Sequence, residues 1–339
     1  MSYKQMTGNI ISATKVEPDG KLISSAASGV WSLQDAYDYT RGDNWPNQAN
    51  PTPRVLIAGG FASGTRFNVI QKLDPTSAGN AADFGDLVDA RIVNAAVAST
   101  TRAVFIGGSP SSEDNVMQYV TIATDGNATD FGDTTGTFYD GGAAGSNTRG
   151  ISGGGNHSLG YEVLEYITIA STGNGTDFGN LTVARQETRS AASTTRFVCS
   201  GGITSSSVDD EMDYVTIAST GNATDFGDLS VARRSPCCLS NNTRGITAGG
   251  STGSKVDVID YITIASTGNS TDFGDMSSAR WFAAGTSSND TGFITGGDAV
   301  NTIEQITIPT TGDATDFGDM TVSIGYHSAT SNGHGGIAA

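Results

Sequence analysis

The stretch Tyr214–Arg233, YVTIASTGNATDFGDLSVAR, decides the fold, because near-copies of it recur along the chain. Its Asp-Phe-Gly tripeptide occurs six times, with the phenylalanine at Phe84, Phe131, Phe178, Phe226, Phe273 and Phe317. Successive copies stand 47, 47, 48, 47 and 44 residues apart. A fixed period of this size marks a propeller or a solenoid, in which each unit buries its apolar face against its neighbours. Within YVTIAS the period is two: Val215 and Ile217 share one face, and Tyr214, Thr216 and Ala218 the other. The β-branched content predicts a strand, and the STGN that follows supplies turn residues.

Every unit keeps one order. A run of small residues such as RSPCCLSNN (Arg234–Asn242) precedes TRGITAGG, a variable loop follows, and then come DYITIAST and the Asp-Phe-Gly segment. Glycine pairs begin at Gly59, Gly107, Gly153, Gly201, Gly249 and Gly296, and glycine tolerates the positive φ that a strand-ending turn demands. Arg54, Arg102, Arg149, Arg196 and Arg244 lie four or five residues before the pair, and Thr291 takes that place in the last unit. Four short strands in about 47 residues, with no helical periodicity, predict one propeller blade per unit.

The order Arg, Gly-Gly, Tyr-bearing strand, aromatic resembles the kelch repeat over roughly Pro53 to Ala339, with the phenylalanine of Asp-Phe-Gly where kelch units carry tryptophan. The resemblance implies an all-β, kelch-like β-propeller. The chain enters the repeat at PRVLIAGG, a second strand, and VSIGYHSATSN (Val322–Asn332) matches the missing first strand in position. Such a clasp between the two ends removes an exposed sheet edge. The closing GHGGIAA reads either as a tail or as the start of a seventh blade completed from the amino-terminal segment; six blades are expected, with seven the alternative.

Residues 1–52 lack the repeat and contain Trp31 and Trp45, two of the three tryptophans. A short helix is predicted over Leu33–Tyr39. The segment ASGVWSLQDAYDYTRGDNWP is similar to a short module of tail-fibre and other virion structural proteins of tailed bacteriophages, including marine and cyanobacterial phages. That resemblance implies an amino-terminal attachment module over 1–52 that binds other virion proteins, followed by a propeller over 53–339. Arg41–Asp43 spells RGD, which reads as ordinary Gly-Asp turn chemistry and not as an adhesion signal.

Composition narrows the partners. The 35 acidic and 18 basic residues among 339 give a formal charge of −17, the wrong sign for nucleic acid. No apolar run approaches the roughly 18 residues of a membrane span, so no membrane insertion is expected, and the first residues lack the pattern of a secretory signal. Asn222 and Asn269 sit in glycosylation-type triplets but read as turn residues. Cys199, Cys237 and Cys238 are too few for a disulfide framework and are expected to be reduced.

Reactive constellations are missing as well. His157, His327 and His334 show no metal-ligand spacing, and no G-x-S-x-G elbow occurs. The copper site of kelch-like oxidases has no counterpart set. No enzymatic activity, catalytic residue, metal or cofactor is expected. Asp125, Asn127, Asp130 and Asp133 could in principle present oxygens to calcium, but the pattern departs from an EF-hand loop. The favoured reading makes Asp130 and its equivalents acceptors of backbone N–H groups in the turn, with Phe131 packed on the next blade.

The units disagree most between Gly-Gly and the Tyr strand, in loops that a propeller presents on one face. Phe61, Arg66, Glu113, Asp114, His157, Tyr161, Asp209, Asp210, Glu211 and Lys255 are the side chains expected there. These loops vary either because they recognise a partner or because nothing restrains them. Trp281 could stack on a sugar or fill a gap between blades. The reading is therefore a phage tail fibre or receptor-binding element of the virion, made in the host cytoplasm, that contacts a host surface glycan or protein through propeller loops. It could also be a homo-oligomer. A purely architectural adaptor or decoration subunit is the alternative, and a bacterial carbohydrate-binding lectin the second.

Overall fold

The computed structural model describes residues 9–12, 29–32, 52–92, 95–110 and 114–337. Two compact units divide the chain, Met1–Thr52 and Pro53–Ala339. In the first, strands Asn9–Ser12 and Gly29–Ser32 pair antiparallel, with Ile10 opposite Trp31 and Ile11 opposite Val30. The helix predicted over Leu33–Tyr39, the RGD triplet and Trp45 lie outside the described residues.

The second unit is a six-bladed β-propeller. Each blade is a four-stranded antiparallel meander that runs from an inner strand to an outer one. Blade 1 uses Ser328–Ser331, Val55–Ala58, Val69–Leu73 and Ala82–Asp86; blade 2 uses Ala95–Ala98, Arg102–Ile106, Val116–Thr121 and Thr129–Asp133. Blade 3 uses Gly142–Gly145, Arg149–Gly153, Val163–Thr168 and Thr176–Asn180; blade 4 uses Arg189–Ala192, Arg196–Ile203, Val208–Thr216 and Thr224–Asp228. Blade 5 uses Cys237–Ser240, Arg244–Ala248, Val258–Thr263 and Thr271–Asp275; blade 6 uses Ala284–Ser288, Thr291–Thr295, Thr302–Thr307 and Thr315–Asp319. The inner strands touch one another in a closed circle, blade 6 meeting blade 1. They read AAVA, GAAG, RSAA, CCLS, AGTSS and SATS, because side chains converging on one axis have to be small.

The ends of the chain share blade 1, as the clasp requires: Ser328–Ser331 pairs antiparallel with Val55–Ala58. No seventh blade begins after it. Instead Asn332–Ile337 crosses the channel at the ends of the inner strands. Asn289 N–H donates to Gly333 O at 2.8 Å, and His334 Nε2–H donates to Ala98 O at 2.8 Å. His334 Nδ1 accepts from Gly336 N–H, which places the ring proton on Nε2. Burial lowers the pKa of this imidazole and keeps it neutral. The tail closes one mouth of the channel.

The recurring STGN…TDFGD segment locks neighbouring blades together. At every junction the carbonyl of the Asp-Phe-Gly phenylalanine accepts a backbone N–H from the glycine in the next blade's turn, as from Gly126 to Phe84, Gly268 to Phe226 and, closing the ring, Gly79 to Phe317. The following Asn, or Asp313 in blade 6, accepts from the N–H of the last outer-strand residue. These bonds use the polar backbone groups that an outer strand would otherwise offer to another sheet. The turn is thus held from the neighbouring blade. The Asp130 register is exposed, and of its equivalents Asp225 accepts a local backbone N–H, from Gly227 at 2.9 Å. The six phenylalanines are 2–5% exposed, and Phe131 packs on Ile167 and Ile169 of the next blade. Each such burial contributes on the order of 2–3 kcal/mol.

A second fastener lies deeper. The third strand of each blade buries one polar residue, Gln71, Gln118, Glu165, Asp213, Asp260 or Glu304. Its oxygen accepts from the residue two places after the preceding outer strand, at Thr321, Val88, Thr135, Thr182, Ser230 and Ser277. Three of these carboxylates also meet a fully buried arginine: Arg185 reaches Asp213 at 2.8 Å, Arg233 reaches Asp260 at 2.9 Å, and Arg280 pairs with Glu304. At the equivalent position Arg91 bonds Gly107 O beside Gln118, whereas Phe138 and Ile324 replace arginine in the other two junctions.

Candidate functional site

The two faces of the propeller differ in chemistry. One carries the hairpins from inner to second strand and the turns from third to outer strand, built from Ser, Thr, Asn, Asp and Gly. The other carries the loops after Gly-Gly and the connections between blades. Among the described residues the exposed large hydrophobic side chains are Val88, Leu159, Tyr161, Val231 and Val300, and all five lie on this second, loop face.

At the axis of that face the backbone makes a repeated turn. Asp140, Glu187, Ser235, Phe282 and Tyr326 occupy equivalent positions in five inter-blade connections, and all have φ between 49° and 58°. Four of these N–H groups donate to the carbonyl of the counterpart one blade back, from Glu187 to Asp140, Ser235 to Glu187, Phe282 to Ser235 and Tyr326 to Phe282, over 2.9–3.2 Å. The chain of bonds follows the channel mouth. A left-handed backbone favours glycine, and a bulky residue there is strained. Here no glycine is used, although the glycine pairs supply it nearby, for example Gly107 at φ 58°. The side chains at the mouth are kept at a conformational cost.

Those side chains form a continuous belt. Phe282 and Tyr326 stack with centroids 3.8 Å apart, and Phe61 meets Tyr326 edge to face at 6.2 Å. Trp281 leans on Phe282 at 4.8 Å, and the Arg234 guanidinium lies over the indole at 5.4 Å. Arg234 pairs with Glu187 at 3.2 Å, and Arg189 with Asp140 at 3.4 Å. Burial pushes the Asp140 carboxyl up to about 6, against the pull of Arg189. Lys255 pairs with Asp298 at 2.9 Å, and Asp298 lies 3.4 Å from the Trp281 backbone N–H. Below the mouth the channel narrows to cavities of about 60 and 40 Å³. At roughly 10–15 Å³ per water they hold a few waters and no organic ligand.

The residues singled out from the loops are distributed unevenly. Phe61 joins the aromatic belt, Lys255 makes the ion pair with Asp298, Tyr161 is exposed in its loop, and Asp210 is exposed on the third strand of blade 4. Arg66 ties its loop to the next blade through Ser109 O at 3.1 Å. Others fasten the fold itself: Asp114 accepts from Arg91 and Val116 N–H, Asp209 accepts from Glu211 N–H, and Glu211 faces Arg185 at 3.7 Å. His157 is buried against Phe138, and burial lowers its pKa. Glu113 lies outside the described residues. The arginine register before Gly-Gly is architectural too. Arg102, Arg149, Arg196 and Arg244 each cover the tyrosine of their own blade at 4.2–4.4 Å and donate to a carbonyl of the next.

The mouth residues were legible in a register not used above. Two consecutive positions after the buried-arginine register read Tyr139-Asp140, Gln186-Glu187, Arg234-Ser235, Trp281-Phe282 and Gly325-Tyr326, with no consensus in connections of constant length. Among the described residues no three His, Cys, Asp or Glu side chains gather in a metal-binding group. Cys199, Cys237 and Cys238 are buried thiols, and burial pushes the latter two up to about 12 and 11. No protein-family model matches the chain, and no curated protein matches it.

Proposed function

We propose that this chain is a structural protein of a tailed-phage virion, a tail-fibre or receptor-binding element that contacts the host surface with the loop face of its propeller. The observation that carries the contact is the one-sided chemistry. Exposed apolar side chains and the strained aromatic and charged belt share one face, while the other is hydroxyl- and amide-rich. Of the two faces, the one that alone carries exposed large apolar side chains is the better suited to meet a partner. The phage setting is supported by the likeness of residues 29–46 to virion attachment modules and by its pairing with glycine-rich, kelch-like units. Residues 1–52 would then hold the protein to other virion proteins. Binding is through non-covalent contacts, each weak and multiplied by the number of copies on a particle.

Gold-tagged antibody against residues 53–339 should label the tail or its fibres on intact particles, and the purified protein should compete with infection. Label confined to the capsid, with no competition, would favour an adaptor or decoration subunit.

A further inference from the structure

We infer that Trp281 and the two ion pairs beside it bind a pyranose residue of a surface polysaccharide, an assignment that rests on the loop-face reading above. The indole is partly buried and fixed from two sides, by Phe282 at 4.8 Å and by the Arg234 guanidinium at 5.4 Å. Its backbone is held next to Asp298. A rigid aromatic surface costs little conformational entropy when a ligand lands on it.

The charges select the ligand class. Arg234 is matched by Glu187 and Lys255 by Asp298, so the patch offers donors and acceptors but no net charge. A cation arriving there would face Arg234 and Lys255, and an anion would face Glu187 and Asp298. Each gains on one side what it loses on the other. A purely apolar segment would strip water from both pairs and return no hydrogen bond. A pyranose ring satisfies both demands: its C–H groups pack on the part of the indole that Phe282 and Arg234 leave uncovered, and its hydroxyls both donate and accept. Pre-paired carboxylate and guanidinium groups are already oriented, so little ordering remains when vicinal hydroxyls engage them. The surrounding repeat agrees. The Trp281 register holds Tyr139, Gln186, Arg234 and Gly325 in other connections, so the tryptophan is particular to the blade 5–6 junction and serves no shared structural purpose.

The test is saturation-transfer NMR on the full chain with methyl β-D-glucopyranoside, methyl α-D-mannopyranoside, methyl β-D-galactopyranoside and N-acetyl-D-glucosamine, each at millimolar concentration. At least one should receive saturation at its ring C–H protons. Trp281→Ala should weaken that sugar about tenfold, and Trp281→Phe should retain part of the affinity. If Trp281→Ala fails to fold, Glu187→Gln and Lys255→Gln, one in each ion pair, must each weaken binding. No transfer to any of the four, or undiminished binding in these variants, overturns the inference. Cell adsorption separates this from the wider reading. Adsorption blocked by a bulky group on Tyr161 while no glycoside binds would sink the sugar site and leave the loop face standing. Glycoside binding that depends on Trp281, with adsorption indifferent to that group, would do the reverse.

Discussion

Single side chains at the blade junctions show which interactions the ring depends on. Arg233 and Asp260 are both fully buried, and burial lowers the arginine's pKa against the raising effect of that carboxylate. Removing one member of such a pair strands a charge. Arg233→Leu should cost about 3–5 kcal/mol in denaturant unfolding. The chain contains its own control, since the junction between blades 6 and 1 uses Ile324 and Gln71 at the same positions. Arg233→Ile combined with Asp260→Gln should therefore recover most of that loss, because a buried pair can be exchanged for neutral groups of similar volume. Asp140 makes a separate prediction. Its carboxyl is raised from 3.8 to about 6 in the fold, so the native protein keeps a proton that the unfolded chain has released. Stability from this group is complete below about pH 4 and declines as pH rises to about 6. Asp140→Asn should flatten that limb of a plot of thermal midpoint against pH. An unchanged limb would mean that another group sets it.

At the scale of strands and turns, the repeat was legible because each unit has to fulfil the same geometric demand. The alternation in YVTIAS is observed as burial of Val215 and Ile217 with Thr216 exposed. The glycine after each Asp-Phe was legible as a repeated letter, but its reason lies between blades. In Gly227, at φ 134°, an added Cβ would stand 2.5 Å from the Gly268 carbonyl carbon one blade on. Gly227→Ala should destabilise by roughly 2 kcal/mol or more, whereas Gly126→Ala, whose Cβ meets open space, should be close to neutral. The turn has a second fastener that is hidden from sequence for the same reason. The Asn, or Asp313 in blade 6, that secures each outer strand stands 38 to 42 residues away in five junctions, and 239 away where the ring closes. Local turn chemistry cannot reveal a partner one blade distant. The mouth site was obscured differently: the units disagree most in the loops after Gly-Gly, while Asp140, Glu187, Phe282 and Tyr326 sit in short connections of constant length.

Within the propeller of residues 53–339, a closed ring with one mouth covered by Asn332–Ile337 leaves one open face on the axis, and that face carries the exposed large apolar side chains. Closure from the two chain ends was readable in advance because the first strand of the first unit was missing. The plug was not, because GHGGIAA carries no strand pattern and its contacts come from blades 2, 3, 5 and 6. The buried state of all three cysteines makes the central claim directly testable, since thiols with strongly raised pKa values and no exposure resist labelling in the native fold. Tyr161→Cys places an accessible thiol on the loop face, and Thr220→Cys places one on a turn of the opposite face. Each variant would be coupled to a polyethylene-glycol maleimide and its adsorption to susceptible cells compared with the uncoupled form. The loop-face account predicts that coupling at residue 161 abolishes adsorption and coupling at residue 220 leaves it intact. Adsorption lost at 220 and kept at 161 would contradict it.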